Sequence, residues 1–139
     1  MDIGTSEGLS ILSHNHLNGL VIPSLKDIVS ITSLQSKYSP IYSPNKTGLL
    51  INTNISKNQK NRSEISNSYY RFLEDTNSKV EKLHSEEVRK IRKNYNSKCV
   101  DNQLDKLYRF YYIKNQEQIA KEINILFKLK NFNLKLYIL

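Results

Sequence analysis

The sequence predicts a mainly α fold: a helical hairpin of two or three helices over about residues 63–95 and 101–130, an extended N-terminal half and a C-terminal strand. Three observations predict it. Apolar side chains recur at three- and four-residue steps after residue 60, as on one face of a helix. All three prolines and all four glycines lie at or before residue 48. Residues 132–138 alternate apolar and polar side chains, the period of a strand.

Composition bounds the rest. Sixteen lysines, sixteen asparagines, fifteen isoleucines and nine tyrosines dominate the 139 residues, with one alanine and no tryptophan. The common types share A/T-rich codons, so the bias reflects the genome as well as the protein. A Gly-rich nucleotide-binding enzyme, a disulfide scaffold, a Pro-rich chain and a transmembrane bundle are excluded as readings. The net charge of +8 suits nucleic acid, an acidic partner or an anionic surface, although lysine is also what such a genome supplies by default. A single cysteine, Cys99, reads as a reduced thiol in an intracellular compartment. Asp2 and Glu7 argue against a secretory or mitochondrial leader, and an organelle-encoded origin stays open. No run of eighteen apolar residues occurs, so no membrane span is expected.

Two segments are expected. Residues 1–60, with five lysines against three acids, read as an extended, Ser/Asn-rich segment that is disordered or wraps a partner. Ser39-Pro40 and Ser43-Pro44 push their serines out of helical space, and Asn45 to Gly48 reads as a turn. A short helix over Ser24–Leu34 and a short strand over Leu49–Ile51 are the candidate elements there. Residues 61–139, with sixteen basic against ten acidic side chains, read as a basic α-helical domain with a strand-like C-terminus.

Within that second segment, Asn61-x-x-Glu64 and Ser78-x-x-Glu81 have the form of capping boxes. They predict a helix over about 63–74 burying Ile65, Tyr69, Phe72 and Leu73, and a second over about 79–95 burying Val80, Leu83, Val88 and Ile91. Asp75-Thr76-Asn77 separates them, the alternative being one long helix with a polar interruption. Asn94 to Ser97 reads as a connector. The longest element runs from about Asp101 to Lys130, about 45 Å at 1.5 Å per residue. Its stripe is Leu104, Leu107, Tyr108, Tyr111, Tyr112, Ile119, Ile123, Leu126 and Phe127. Asn115 and Gln118 interrupt it, and a bend or polar contact is expected there. Asp105→Arg109 and Glu117→Lys121 are paired one turn apart in the better orientation. The final strand needs a sheet, which the sequence places on another chain.

Chemistry-bearing motifs are few. Lys46-Thr47 lacks the glycines of a phosphate-binding loop, and no Gly-x-Gly-x-x-Gly occurs. His14-x-His16 has no third ligand nearby for a tetrahedral metal shell. His84 reads as solvent-facing. The adjacent acids Glu74-Asp75 and Glu86-Glu87 diverge on a helix rather than forming a catalytic pair. No catalytic residue, cofactor, metal or small-molecule substrate is expected.

What remains is an apolar face and a basic stretch. The first expectation is a non-enzymatic structural or accessory subunit of a larger assembly, with other protein subunits as partners. It would dock through its helical hairpin and terminal extensions, with Tyr108, Tyr111, Ile119, Ile123, Leu126 and Phe127 as the contacts. The alternative is a direct RNA- or DNA-binding protein, such as a ribosome-associated component, using Arg89, Lys90, Arg92 and Lys93 beside the tyrosine-rich run at 108–112.

Overall fold

A computed structural model describes residues 14–15 and 19–139, without the side chains of residues 14 and 15. Its order is β1 (His14–Asn15), α1 (Leu25–Ser33), β2 (Tyr38–Tyr42), β3 (Thr47–Asn52), α2 (Ile55–Lys60), α3 (Arg62–Leu83), α4 (Ser85–Asn94), α5 (Ser97–Lys114), α6 (Gln116–Leu129) and β4 (Leu134–Ile138). The fold is mostly helical, as expected, with a small antiparallel sheet β2-β3-β4. The two-residue β1 adds to β2 in parallel.

The expected final strand is present, but its sheet belongs to the same chain. β4 pairs antiparallel with β3, Leu136 opposite Leu50, so the expectation of a partner chain for it is corrected. The residues expected to be extended, from 20 to 60, supply β2, β3, α1 and α2. The candidate helix at Ser24–Leu34 and the candidate strand at Leu49–Ile51 are thus present as α1 and β3, whereas Pro40 hid β2. In β2 the ladder with β3 is held by alternate residues, with Asn52 N–H donating to Lys37 C=O and Ser43 N–H to Lys46 C=O. By that alternation Pro40 turns its missing donor away from β3, so the β2–β3 ladder loses no bond to it. At the turn end Gly48 is obligatory, because a Cβ there would lie 2.7 Å from the Val21 carbonyl oxygen.

The start of α1 is fixed by Ser24 and Asp27. Ser24 Oγ accepts from Asp27 N–H, and Asp27 Oδ2 accepts from Ser24 N–H at 2.8 Å, a reciprocal capping box. The sequence-level capping boxes at Asn61 and Ser78 are not used. Asn61 makes no side-chain cap, and Ser78 lies inside α3, which runs unbroken through Asp75–Asn77. Thr76 returns its hydroxyl to the Phe72 carbonyl at 2.9 Å, and Asn77 accepts from the Tyr112 hydroxyl of α5 at 2.8 Å. Polar side chains that looked like a break are thus bound within and across helices. The helix breaks instead at His84, between α3 and α4, and Leu83 beside it is exposed rather than buried. The long C-terminal helix is divided at Asn115, where a bend was expected.

One core joins both compositional halves. Ile22, Ile28, Ile31 and Leu50 from the first pack with Ile65, Tyr69, Tyr112, Ile119, Ile123, Phe127, Leu134 and Leu136 from the second. Burying side chains of this size stabilises by roughly 1.5–3 kcal/mol each. A smaller cluster of Val88, Ile91 and Leu104 holds α4 to α5. Buried polar groups lock the sheet ends. Asn58 Nδ2 donates to Asn52 Oδ1 (2.6 Å) and to the Asn133 carbonyl (2.8 Å), while Asn133 N–H donates to Asn58 Oδ1 (3.2 Å).

Candidate interaction surfaces

The apolar stripe expected to meet partners is largely spent on the chain itself. Ile119, Ile123 and Phe127 are buried in the main core, because α6 lies across β4 and its stripe meets α1, α3 and the sheet. Tyr111 is half-buried against that core, and Leu126 is half-buried. Three of the six residues expected to meet partners, Ile119, Ile123 and Phe127, are therefore buried within the chain itself. A period of 3.6 marks a face that must be covered, not what covers it.

Tyr108 is also engaged. Its hydroxyl donates to Glu81 Oε2 at 2.8 Å, and Arg92 reaches Glu81 Oε1 at 2.6 Å, so one carboxylate stitches α3, α4 and α5 together. Burial, then the bond to Glu81, pushes the Tyr108 phenol up to about 12. Of the four basic residues expected to meet nucleic acid, Arg92 is thus held by Glu81 and Arg89 by Glu86. Lys90 lines a groove, and Lys93 is exposed with no ion pair among the described residues. Arg109 pairs with Asp105 as expected, whereas Glu117 meets Lys46 at 3.3 Å rather than Lys121.

The groove beside Lys90 lies between α4 and α5 and encloses about 480 Å³. Its floor is Ile91 and Leu107, and its rim is His84, Lys106, Tyr95 and Phe110. Phe110 is 63 % exposed and Tyr95 46 %, although both are large apolar side chains. Among the described residues Glu87 is the one carboxylate along it, and no Ser, Thr or Cys lines it.

A second groove, of about 850 Å³, follows the border of β4 away from β3. Lys57, Lys128 and Lys135 line it together with Asn124, Asn131, Asn133 and Tyr137, and among the described residues no acidic side chain does. Asn133 Nδ2 is buried without a hydrogen-bond partner. The groove meets the outer face of the sheet, where Tyr38, Tyr42 and Tyr137 project.

Sequence reasoning missed Asn124 and Gln116, the side chains that close the backbone here. Gln116 is buried at the α5–α6 junction, where its Oε1 accepts from Val21 N–H and its Nε2 donates to Gly19 C=O, both at 3.0 Å. The interruption of the apolar stripe was the available signal, though Asn115 and Gln118 were the residues it pointed to. His14 lies in β1, and His16 is outside the described residues. Among the described residues no three His, Cys, Asp or Glu are grouped as a metal shell requires, and no helix is long and apolar enough to cross a membrane. No family model matches the chain, and no curated protein or solved structure is similar to it.

Proposed function

We propose that this chain is a non-enzymatic accessory subunit that docks onto a larger protein assembly through its α4–α5 hairpin. The observation that carries this reading is the exposed Phe110 and Tyr95 on the rim of an apolar-floored groove. Aromatic side chains in a partly desolvated pocket are the usual anchors of protein interfaces. The hairpin has its own small core and stands apart from the main one, so it can present a preformed surface. Ile119, Ile123 and Phe127 are withdrawn from this role, and Phe110 and Tyr95 take their place.

Affinity purification from the native source, with and without nuclease, tests the reading. The wild-type chain should recover a fixed set of protein subunits after nuclease treatment. Phe110→Glu should lose them while keeping an unchanged thermal melt. Equal recovery by Phe110→Glu, or recovery that nuclease abolishes, overturns it.

A second reading, direct RNA or DNA binding, is favoured by a different observation: the lysine-lined groove along β4, which holds no acidic side chain among the described residues.

A further inference from the structure

The outer face of the sheet serves neither the core nor the hairpin groove. Tyr38, Pro40 and Tyr42 point outward from β2, as do Leu49 and Ile51 from β3 and Lys135 and Tyr137 from β4. Pairing sets Tyr38, Ile51 and Lys135 in one row and Pro40, Leu49 and Tyr137 in the next. At about 4.8 Å between strands and 3.3 Å per residue, the three tyrosine Cα atoms stand about 12–13 Å apart. Tyr38, Tyr42 and Tyr137 are 40 %, 44 % and 45 % exposed, and none pairs with another ring among the described residues.

We propose that this face binds single-stranded nucleic acid, with the three tyrosines stacking on unpaired bases and Lys57, Lys128 and Lys135 leading the phosphates along β4. The proposal rests on the nucleic-acid reading and gives it a site away from α4. Rings standing on an open sheet offer their faces to splayed bases, which a duplex does not present. Three lysines that share their groove with no acidic side chain among the described residues complement a phosphodiester chain. A peptide strand is disfavoured, because Asn124 already occupies the N–H and C=O of Leu136 at the middle of the β4 border. A second copy is disfavoured too, since a two-fold interface presents the same patch twice and would oppose like charges.

Fluorescence anisotropy of the full chain with labelled single-stranded RNA and DNA, and with duplexes of the same sequence, tests this across a salt series. Single strands should bind more tightly than duplex. Tyr38→Ala, Tyr42→Ala and Tyr137→Ala should each weaken binding by about fivefold or more, while the phenylalanine variants at the same positions retain it. Replacing Lys57, Lys128 and Lys135 together by glutamine should lower the log–log salt slope by about 2. Thermal melts confirm that each variant folds. Absence of wild-type binding at low salt overturns the nucleic-acid reading as a whole. Binding that survives the three alanines but is lost when Arg89, Lys90, Arg92 and Lys93 become alanine overturns this site alone. Alanine variants that change sedimentation but not affinity would identify a subunit interface, which also overturns it.

Discussion

Asn124 of α6 acts as a one-residue strand beside Leu136 of β4. Its Oδ1 accepts from Leu136 N–H and its Nδ2 donates to Leu136 C=O, both at 2.8 Å. The side-chain amide thus repeats the pair of bonds a neighbouring strand would make. An open strand border is a template for unwanted pairing, and covering it is a common remedy. Asn124→Ala should destabilise the fold by about 1–3 kcal/mol, because two partly buried backbone groups lose their partners. It should also raise concentration-dependent light scattering below the melting temperature. A variant that melts as the wild type and stays monodisperse would show that water replaces the amide without cost. Asn124→Asp keeps the acceptor but not the donor, and should fall between the two.

At Gly48 the backbone of the sheet lies directly against Val21 of the preceding segment. A methyl group there would meet the Val21 oxygen at 2.7 Å and the Val21 Cβ at 3.0 Å. The first is a backbone atom, so relief requires the segment to move. Gly48→Ala should therefore cost about 1–3 kcal/mol, as overpacking does, against the small gain alanine normally brings to a strand. Denaturant midpoints at unchanged m-value measure it. A neutral result would mean that the segment lifts freely from the sheet.

These contacts also explain which parts of the fold are legible in the sequence. The stripe from Leu104 to Phe127 is local, so its period alone yields α5 and α6. The alternation at 134–138 likewise yields β4, but its partner β3 lies far back in the chain, beyond the reach of a local pattern. Ser24-x-x-Asp27 caps a helix whereas Ser78-x-x-Glu81 does not, although both have the required form. Packing decides, since most helical stability in proteins comes from tertiary burial. For the same reason Ile123 and Phe110 could not be ranked as contacts from sequence. The first fits the apolar stripe and is buried, while the second falls outside it and is exposed. The outer tyrosines of the sheet were hidden because Pro40 and Pro44 mask the alternation of β2.

Gln116 holds Gly19 and Val21 from a buried position. Gln116→Leu keeps the volume but leaves the Val21 amide and the Gly19 carbonyl without it. The expected loss is about 1–3 kcal/mol, most of it the desolvation of unpaired backbone groups. Hydrogen exchange gives the sharper readout. The Val21 amide should lose protection well before amides of α6, because the segment opens locally rather than with the whole fold. Uniform loss of protection would place Gln116 in the global core instead.

Alkaline stability should depend on three hydrogen-bonded phenols, Tyr69 and Tyr112 buried and Tyr108 half-buried. Tyr69 donates to the Pro23 carbonyl at 2.6 Å, Tyr108 to Glu81 and Tyr112 to Asn77, each at 2.8 Å. Burial is the largest cause raising all three above the ordinary 10.0, followed by Tyr112 for Tyr69, the Glu81 hydrogen bond for Tyr108 and Glu74 for Tyr112. A raised phenol holds its proton more tightly in the folded state than in the unfolded one. Their contribution is therefore complete below pH 10 and is lost as pH climbs from 10 through the folded values, about 12 for Tyr108. Denaturant midpoints should stay level from neutral pH and fall once the unfolded chain begins to ionise. Phenolate absorbance from these residues should rise together with loss of far-ultraviolet ellipticity. Tyr108→Phe should shallow the alkaline fall, since its ring stays packed while its titrating group is gone. Tyr69→Phe should shallow it further but melt lower at neutral pH, because it also gives up the bond that ties Pro23 to α3. Full phenolate absorbance in a chain that keeps its helices would mean that these hydroxyls reach water in the folded state.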